Sequence, residues 1–195
     1  MRIFVAIDLE EKIRQKIVRF LEGVREFAPE ARWVRPESLH ITLKFIGEQK
    51  EEQVAAIKET LRGLLCDSMD IQFRGYGFFP TTTAPRVFWI GIQAGDALGV
   101  LAHNIDMALE ALKVPREDRP FSPHLTLART AGGSGAPKWR KGDRANPTFS
   151  VLQKRLAALS EIDFGTMTAR EFFLYQSQLS PSGSKYTKLQ SFPLR

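Results

Sequence analysis

Arg35-Pro36-Glu37-Ser38-Leu39-His40-Ile41-Thr42-Leu43-Lys44 recurs 84 residues later as Arg119-Pro120-Phe121-Ser122-Pro123-His124-Leu125-Thr126-Leu127-Ala128, with Arg, Pro, Ser, His, Thr and Leu identical at six of the ten positions. Identity at that density is an internal repeat. The chain has only three histidines, and the repeat uses two of them. Each copy alternates with a period of two, so each is a strand with two different faces. In the first copy Ile41, Leu43 and Phe45 point one way, as core. His40, Thr42 and Lys44 point the other.

Outward from the repeat, Arg2–Asp8 reads as a strand, and Glu10–Phe27 as an amphipathic helix with Ile13, Ile17, Phe20, Leu21 and Val24 on one face, ended by Pro29. A short strand at 32–34 precedes the first repeat strand, 39–46. Residues 49–65 form a second amphipathic helix. Residues 70–79 form a strand bent at Gly75 and Gly77, and 86–92 another. A third helix covers 96–112 and contains His103. The second repeat strand is 123–129. Residues 131–147 read as an exposed, mobile basic loop, 149–159 as a fourth helix, and 171–179 with 185–192 as a terminal hairpin turning through 180–184. Short turns between consecutive strands argue for antiparallel pairing rather than a doubly wound parallel sheet.

The 195 residues are enough for a sizeable core. The hydrophobic fraction of 43% and charged fraction of 26% are those of a globular protein. A single cysteine, Cys66, excludes an intrachain disulfide and fits a reducing compartment. No secretory leader and no run of the ~18 apolar residues needed to span a bilayer is evident. We therefore expect a cytoplasmic protein with no membrane association. With no heptad pattern or long apolar edge, it reads as a monomer. The net charge of +6 suits a polyanionic partner such as RNA. Neither a Gly-x-Gly-x-x-Gly nor a Walker loop occurs, and no nucleophile elbow.

Folding requires neither His nor Thr on the polar face of these strands. Two such strands side by side would present two imidazoles and two hydroxyls to one cleft. An imidazole titrates near neutrality, so one ring can take a proton from water while the other gives one to a leaving alcohol. Threonine hydroxyls and a cation can hold phosphoryl oxygens as charge builds on them. A phosphodiester fits this set. Two histidines without a cysteine or a third close carboxylate make a poor metal ligand set, so neither metal nor other cofactor is expected.

Paired motifs His40-Ile41-Thr42-Leu43 and His124-Leu125-Thr126-Leu127, at this separation and with the opening Met1-Arg2-Ile3-Phe4-Val5-Ala6-Ile7, the Arg32-Trp33-Val34 segment and Ala128-Arg129, resemble the 2H phosphoesterase family. Within it they look like the RNA 2′,3′-cyclic phosphodiesterases, also called 2′-5′ RNA ligases. The resemblance runs from residue 1 to about 130. It implies a single bilobal α+β domain over 1–195, with two pseudo-twofold-related antiparallel sheets, outer helices and a central cleft carrying one motif from each lobe. It implies metal-independent hydrolysis of RNA 2′,3′-cyclic phosphate ends, tRNA-like fragments among them, to 2′-phosphates, with 2′-5′ ligation as a second outcome. It makes His40 the proton donor and His124 the proton acceptor, and assigns Thr42, Thr126 and Arg129 to the phosphate. The near-symmetric repeat does not itself distinguish the two histidines. Two alternatives remain at this stage: a non-catalytic basic RNA-binding module, and a 2H enzyme acting on small cyclic nucleotides.

Arg129 is five residues from His124, so plain alternation turns it away from the cleft. It serves there only if the strand bulges near Ala128. Lys44, in phase with His40, is the alternative cation. Trp33 and Phe121 are expected to pack against core or rim rather than to stack a base. His103 lies outside any motif. Arg35 and Arg119 shape the strand entries. Lys138, Arg140, Lys141 and Arg144 make the 131–147 loop a candidate RNA contact.

Overall fold

A computed structural model describes residues 1–130, 146–180 and 183–195. The expected basic loop, with Lys138, Arg140, Lys141 and Arg144, falls almost wholly outside the described residues, as does the middle of the terminal turn. Among the described residues nine strands and four α-helices follow one another as β1 (Arg2–Asp8), α1 (Glu11–Val24), β2 (Arg32–Trp33), β3 (His40–Glu48), α2 (Glu51–Arg62), β4 (Met69–Phe79), β5 (Val87–Gln93), α3 (Ala97–Glu110), β6 (His124–Arg129), α4 (Ser150–Ala157), β7 (Asp163–Ala169), β8 (Glu171–Ser180) and β9 (Gly183–Pro193). Among the described residues no helix is long and apolar enough to cross a membrane.

The strands make two antiparallel sheets. One runs β3-β1-β8-β9 and the other β2-β6-β5-β4-β7. The expected class, α+β with two antiparallel sheets, outer helices and a cleft between them, is the observed one. The two sheets are built alike. In one, β1 and β3 pair antiparallel with α1 between them in the chain. In the other, β5 and β6 pair antiparallel with α3 between them. The helices are exchanged: α1 packs over β7 of the second sheet, and α3 over β3 of the first. The two spatial halves are therefore not the two halves of the sequence.

The apolar stripes read from the sequence cover the main core. Ile13, Ile17 and Leu21 of α1, Ile3, Val5 and Ile7 of β1, Ile41 of β3, and Leu125 and Leu127 of β6 are essentially fully buried in it. Each such side chain contributes roughly 1.5–3 kcal/mol relative to exposure. Phe20 packs edge-on against Phe164, with ring centroids 5.3 Å apart. The opposite face of the first sheet carries a smaller aromatic cluster of Phe4, Ala6, Phe173 and Tyr175, with Tyr186 against it.

Three differences from the sequence reading have physical reasons. The second helix stops at Arg62, because Gly63 closes it, and Leu65 is exposed. Strand β7 was not expected. Its apolar residues Phe164, Met167 and Ala169 break period two because Gly165, at φ +96°, sits at a register slip opposite Phe73 and Arg74. Phe45 is not core: it is half exposed. The bend expected in β4 is present as a slip between Phe73 and Tyr76, with Gly75 at φ +73°.

Candidate active site

The two motif strands share the anchor of their histidines but not the turn that leads into them, which is regular only in the first. Pro36 opens a single 3-10 turn through Ser38, and the chain is extended by Leu39. The ring of His40 then folds back so that Nδ1 lies 2.7 Å from the Ser38 carbonyl oxygen. His124 does the same with the Ser122 carbonyl, also at 2.7 Å. A carbonyl can only accept, so each Nδ1 carries a proton and donates it. The neutral ring is thereby locked in one tautomer, with its Nε2 lone pair turned away from the strand. The shared Ser-x-His spacing was the sequence signal for this anchor, although the anchoring atom is the backbone oxygen.

His40 and Thr42 are partly exposed on one face of β3, while Ile41 and Leu43 are buried on the other. His124 and Thr126 stand in the same relation to Leu125 and Leu127 on β6. β3 and β6 approach one another where the two sheets meet. Each strand then slips by one residue at the same place. On β3, Ala6 pairs with Thr42 but Val5 with Lys44, leaving Leu43 as the extra residue. On β6, Trp89 pairs with Thr126 but Phe88 with Ala128, leaving Leu127 extra. A bulge of this kind inverts the facing of everything beyond it.

These twin bulges decide three side chains. Arg129 turns to the histidine side, and its charge bears on both His40 and His124. Phe45, at the matching position, swings to the same side and stacks on Phe4 at 5.7 Å, with the Arg2 guanidinium over its ring at 5.8 Å. Lys44 turns inward. It is buried, forms an ion pair with Asp106 of α3, and donates to the Pro115 carbonyl at 2.6 Å. The alternative cation is therefore withdrawn: Lys44 is a core group, not a cleft group.

The remaining expected residues have structural partners. Trp33 donates through Nε1 to the Ala28 carbonyl at 3.0 Å and meets the edge of Phe88. Phe121 packs against the core, and His103 is exposed on α3. Arg35 donates to the Ser184 carbonyl at 2.7 Å and pairs with Glu37, while Arg119 pairs with Glu117.

Several site residues were not singled out from the sequence. His40 sits among Phe4 at 4.9 Å, Tyr186 at 5.2 Å edge-on and Tyr175 at 6.3 Å. His124 sits against Phe79 at 5.1 Å and Trp89 at 6.3 Å. The Trp89 indole lies flat over Gly77, where a Cβ would fall 2.2 Å from the ring, so the glycine makes room for it. Asp8, across the ladder from His40, pairs with Arg14 and with Lys188 at 2.6 Å. Burial alone would raise the Asp8 carboxyl. The Lys188 hydrogen bond and the Arg14 charge outweigh it and hold the group below the usual carboxylate range.

Burial lowers the basicity of both histidines. For His40, burial is the largest cause and the Arg129 and Arg14 charges add to it. The Ser38 hydrogen bond and the Asp8 carboxylate oppose it, and the ring ends at about 4. His124 is lowered by burial and by Arg129, against its Ser122 hydrogen bond. Without a ligand both rings are therefore neutral at pH 7. An entering anion would supply the negative charge that lets one of them hold a proton. Such a site offers two Nε2 atoms, two hydroxyls and one guanidinium to a phosphoryl group. Among the described residues no three His, Cys, Asp or Glu side chains gather as metal donors.

With this geometry in hand, likeness to known proteins is informative. Residues 7–89 match the family model described as LigT-like phosphoesterase, which takes in the first motif. A protein of Archaeoglobus fulgidus named RNA 2′,3′-cyclic phosphodiesterase is 36% identical over 98% of this chain and 99% of its own length. One of the same name from Methanothermobacter thermautotrophicus is 30% identical over 100% and 99%. Among solved structures, a Thermus thermophilus protein superposes with a TM-score of 0.75 at 31% identity, covering 100% of this chain and 98% of the other. Escherichia coli LigT in complex with 3′-AMP superposes with a TM-score of 0.75 at 26% identity, covering 99% and 97%. Likeness of this degree along essentially the whole of both chains decides membership: this chain belongs to the LigT-like family of 2H phosphoesterases and is an enzyme of that kind.

Proposed function

We propose that the protein hydrolyses RNA 2′,3′-cyclic phosphate ends to 2′-phosphates without a metal, using His40 as acid and His124 as base. The observation that carries this reading is the pair of carbonyl-anchored histidines, each with a threonine two residues on, borne on two strands that approach each other. The names of the relatives supply the substrate class.

In this mechanism Nε2 of His124 takes a proton from water as the water oxygen bonds to phosphorus. The bond from phosphorus to the 3′ oxygen breaks, and Nε2 of His40 delivers a proton to that oxygen. Thr42 and Thr126 donate to the two non-bridging oxygens, and Arg129 offsets the charge that builds on them. A 5′-hydroxyl in place of water would give a 2′–5′ diester by the same two proton transfers. The net charge of +6 favours an RNA chain over a small cyclic nucleotide. The lone Cys66 suits a reducing, cytoplasmic compartment.

The test is a defined oligoribonucleotide ending in a 2′,3′-cyclic phosphate, incubated in excess EDTA, with the product identified by phosphorus NMR. A 2′-phosphate is expected at an undiminished rate. A 3′-phosphate, or activity lost on chelation, would overturn the reading. Salt-sensitive RNA binding with no turnover would make the protein a binding module instead.

A further inference from the structure

His40 and His124 hold equivalent places in the repeat, share the same backbone anchor and feel the same arginine. Their neighbours across the ladder differ. The residue paired with His40 is Asp8, and the residue paired with His124 is Gly91. Nothing larger than glycine fits at 91, because a Cβ there would lie 2.4 Å from the Arg74 carbonyl oxygen. One histidine therefore faces a carboxylate, and the fold forbids the other an equivalent partner.

Asp8 is firmly held. Its Oδ1 accepts from the Leu9 amide at 2.9 Å and from Arg14 Nη2, and its Oδ2 pairs with Lys188 at 2.6 Å. Arg14 also donates to the Pro36 carbonyl, in the turn whose Ser38 oxygen fixes the His40 ring. The carboxylate, the turn and the ring are thus tied into one unit.

We propose that Asp8, clamped by Arg14, is a positioning residue that selects His40 as the acid by supporting its protonated form, and that Gly91 leaves His124 as the base. This rests on the two-histidine reading above. The charged and titratable groups around His40 are Asp8 from β1, Arg14 from α1, Arg129 from β6, Tyr175 from β8, and Tyr186 and Lys188 from β9. Of these named groups only Asp8 is anionic at neutral pH. Neutralising it removes the charge that favours the protonated ring and leaves the opposing Arg14 and Arg129 charges uncompensated, which drives the proton off His40. His124 has no such dependence.

The experiment is Asp8→Asn, read in two ways. The first is the pH dependence of kcat on the cyclic-phosphate oligonucleotide, which reports the groups with the phosphate anion bound. Its alkaline limb reports loss of the acid's proton and its acid limb reports protonation of the base. The second is the NMR titration of the histidine rings with adenosine 2′-monophosphate bound, simplified by the presence of only three histidines. The alkaline limb should move about one pH unit lower while the acid limb stays, with kcat at pH 7.5 up to about tenfold down. The His40 midpoint should follow and the His124 midpoint should not, and Asp8→Glu should restore the limb. Asp8→Ser, neutral and smaller, should behave as Asp8→Asn and replaces it if that variant fails to fold. A fall in rate with both limbs unmoved, or equal displacement of both histidines, would overturn the proposal. If the wild type turns over no cyclic phosphate, the hydrolytic reading fails, while the ring titrations still decide whether Asp8 biases His40.

Discussion

At the scale of single residues, the site is governed by what each imidazole is allowed to do with its two nitrogens. A backbone carbonyl takes Nδ1 in both copies, so only Nε2 is left for chemistry. Burial then depresses both rings, His40 to about 4. That depression is also a statement about stability. Below the ordinary histidine value near 6.5 the unfolded chain takes up a proton that folded His40 refuses. Above that value the ring brings no penalty. As pH falls from 6.5 towards 4 the unfolded state gains, so folding stability is lost over that window. The gap between 6.5 and about 4 sets a ceiling of about 3 kcal/mol, less where water reaches the ring edge. Thermal unfolding of wild type and His40→Gln between pH 7.5 and 4.5 should show the wild type losing more. Parallel pH dependence in the two proteins would mean that the ring titrates as if in water.

At the scale of elements, the twin bulges explain why strand parity succeeded over four residues and failed over six. Alternation places His40, Thr42, His124 and Thr126 correctly, because those residues precede the slips at Leu43 and Leu127. Beyond them Lys44, Phe45 and Arg129 each face opposite to the plain count. A bulge is a relation between a strand and its partner, and the partner's register is not written in the strand itself. For Arg129 the repeat comparison named the condition under which it would reach the cleft. For Lys44 nothing local signalled that Asp106, 62 residues later, would take it. That pair also holds the segment leading to the second motif, because Asp106 accepts from the Glu117 amide at 3.1 Å and Lys44 reaches Pro115. Lys44→Met leaves the largely buried Asp106 carboxylate with Arg116 at 3.5 Å and the Glu117 amide, and should cost about 2 kcal/mol in urea denaturation, with Lys44→Met/Asp106→Leu recovering most of it. A loss under about 0.5 kcal/mol in the single variant would show the pair to be solvated.

At the scale of the whole molecule, the repeat was a sound guide to architecture because each copy needs a sheet to lie in and a helix to cover it. Antiparallel pairing was legible from the short turns between strands, and two sheets with outer helices followed from the family resemblance that the paired motifs carry. The exchange of α1 and α3 between the sheets was not, since helix amphipathicity says that a face must be buried but not against which strand. Nor was Asp8, which stands 32 positions before His40 in a strand that otherwise reads as hydrophobic, and becomes part of the site only through the β1–β3 ladder. The functional conclusion likewise belongs to the whole. In the proposed mechanism neither motif alone activates water and protonates the leaving oxygen, and the meeting of the two sheets is what would make that division of labour available. The most direct measurement is therefore a double-mutant cycle on kcat/KM for the cyclic-phosphate oligonucleotide with His40→Ala, His124→Ala and the double variant. If the histidines act together on one phosphoryl group, each single change should cost roughly 10²–10⁴-fold, and the double variant should be little worse than the weaker single. Near-wild-type activity in either single variant, or losses that simply multiply in the double, would contradict the account.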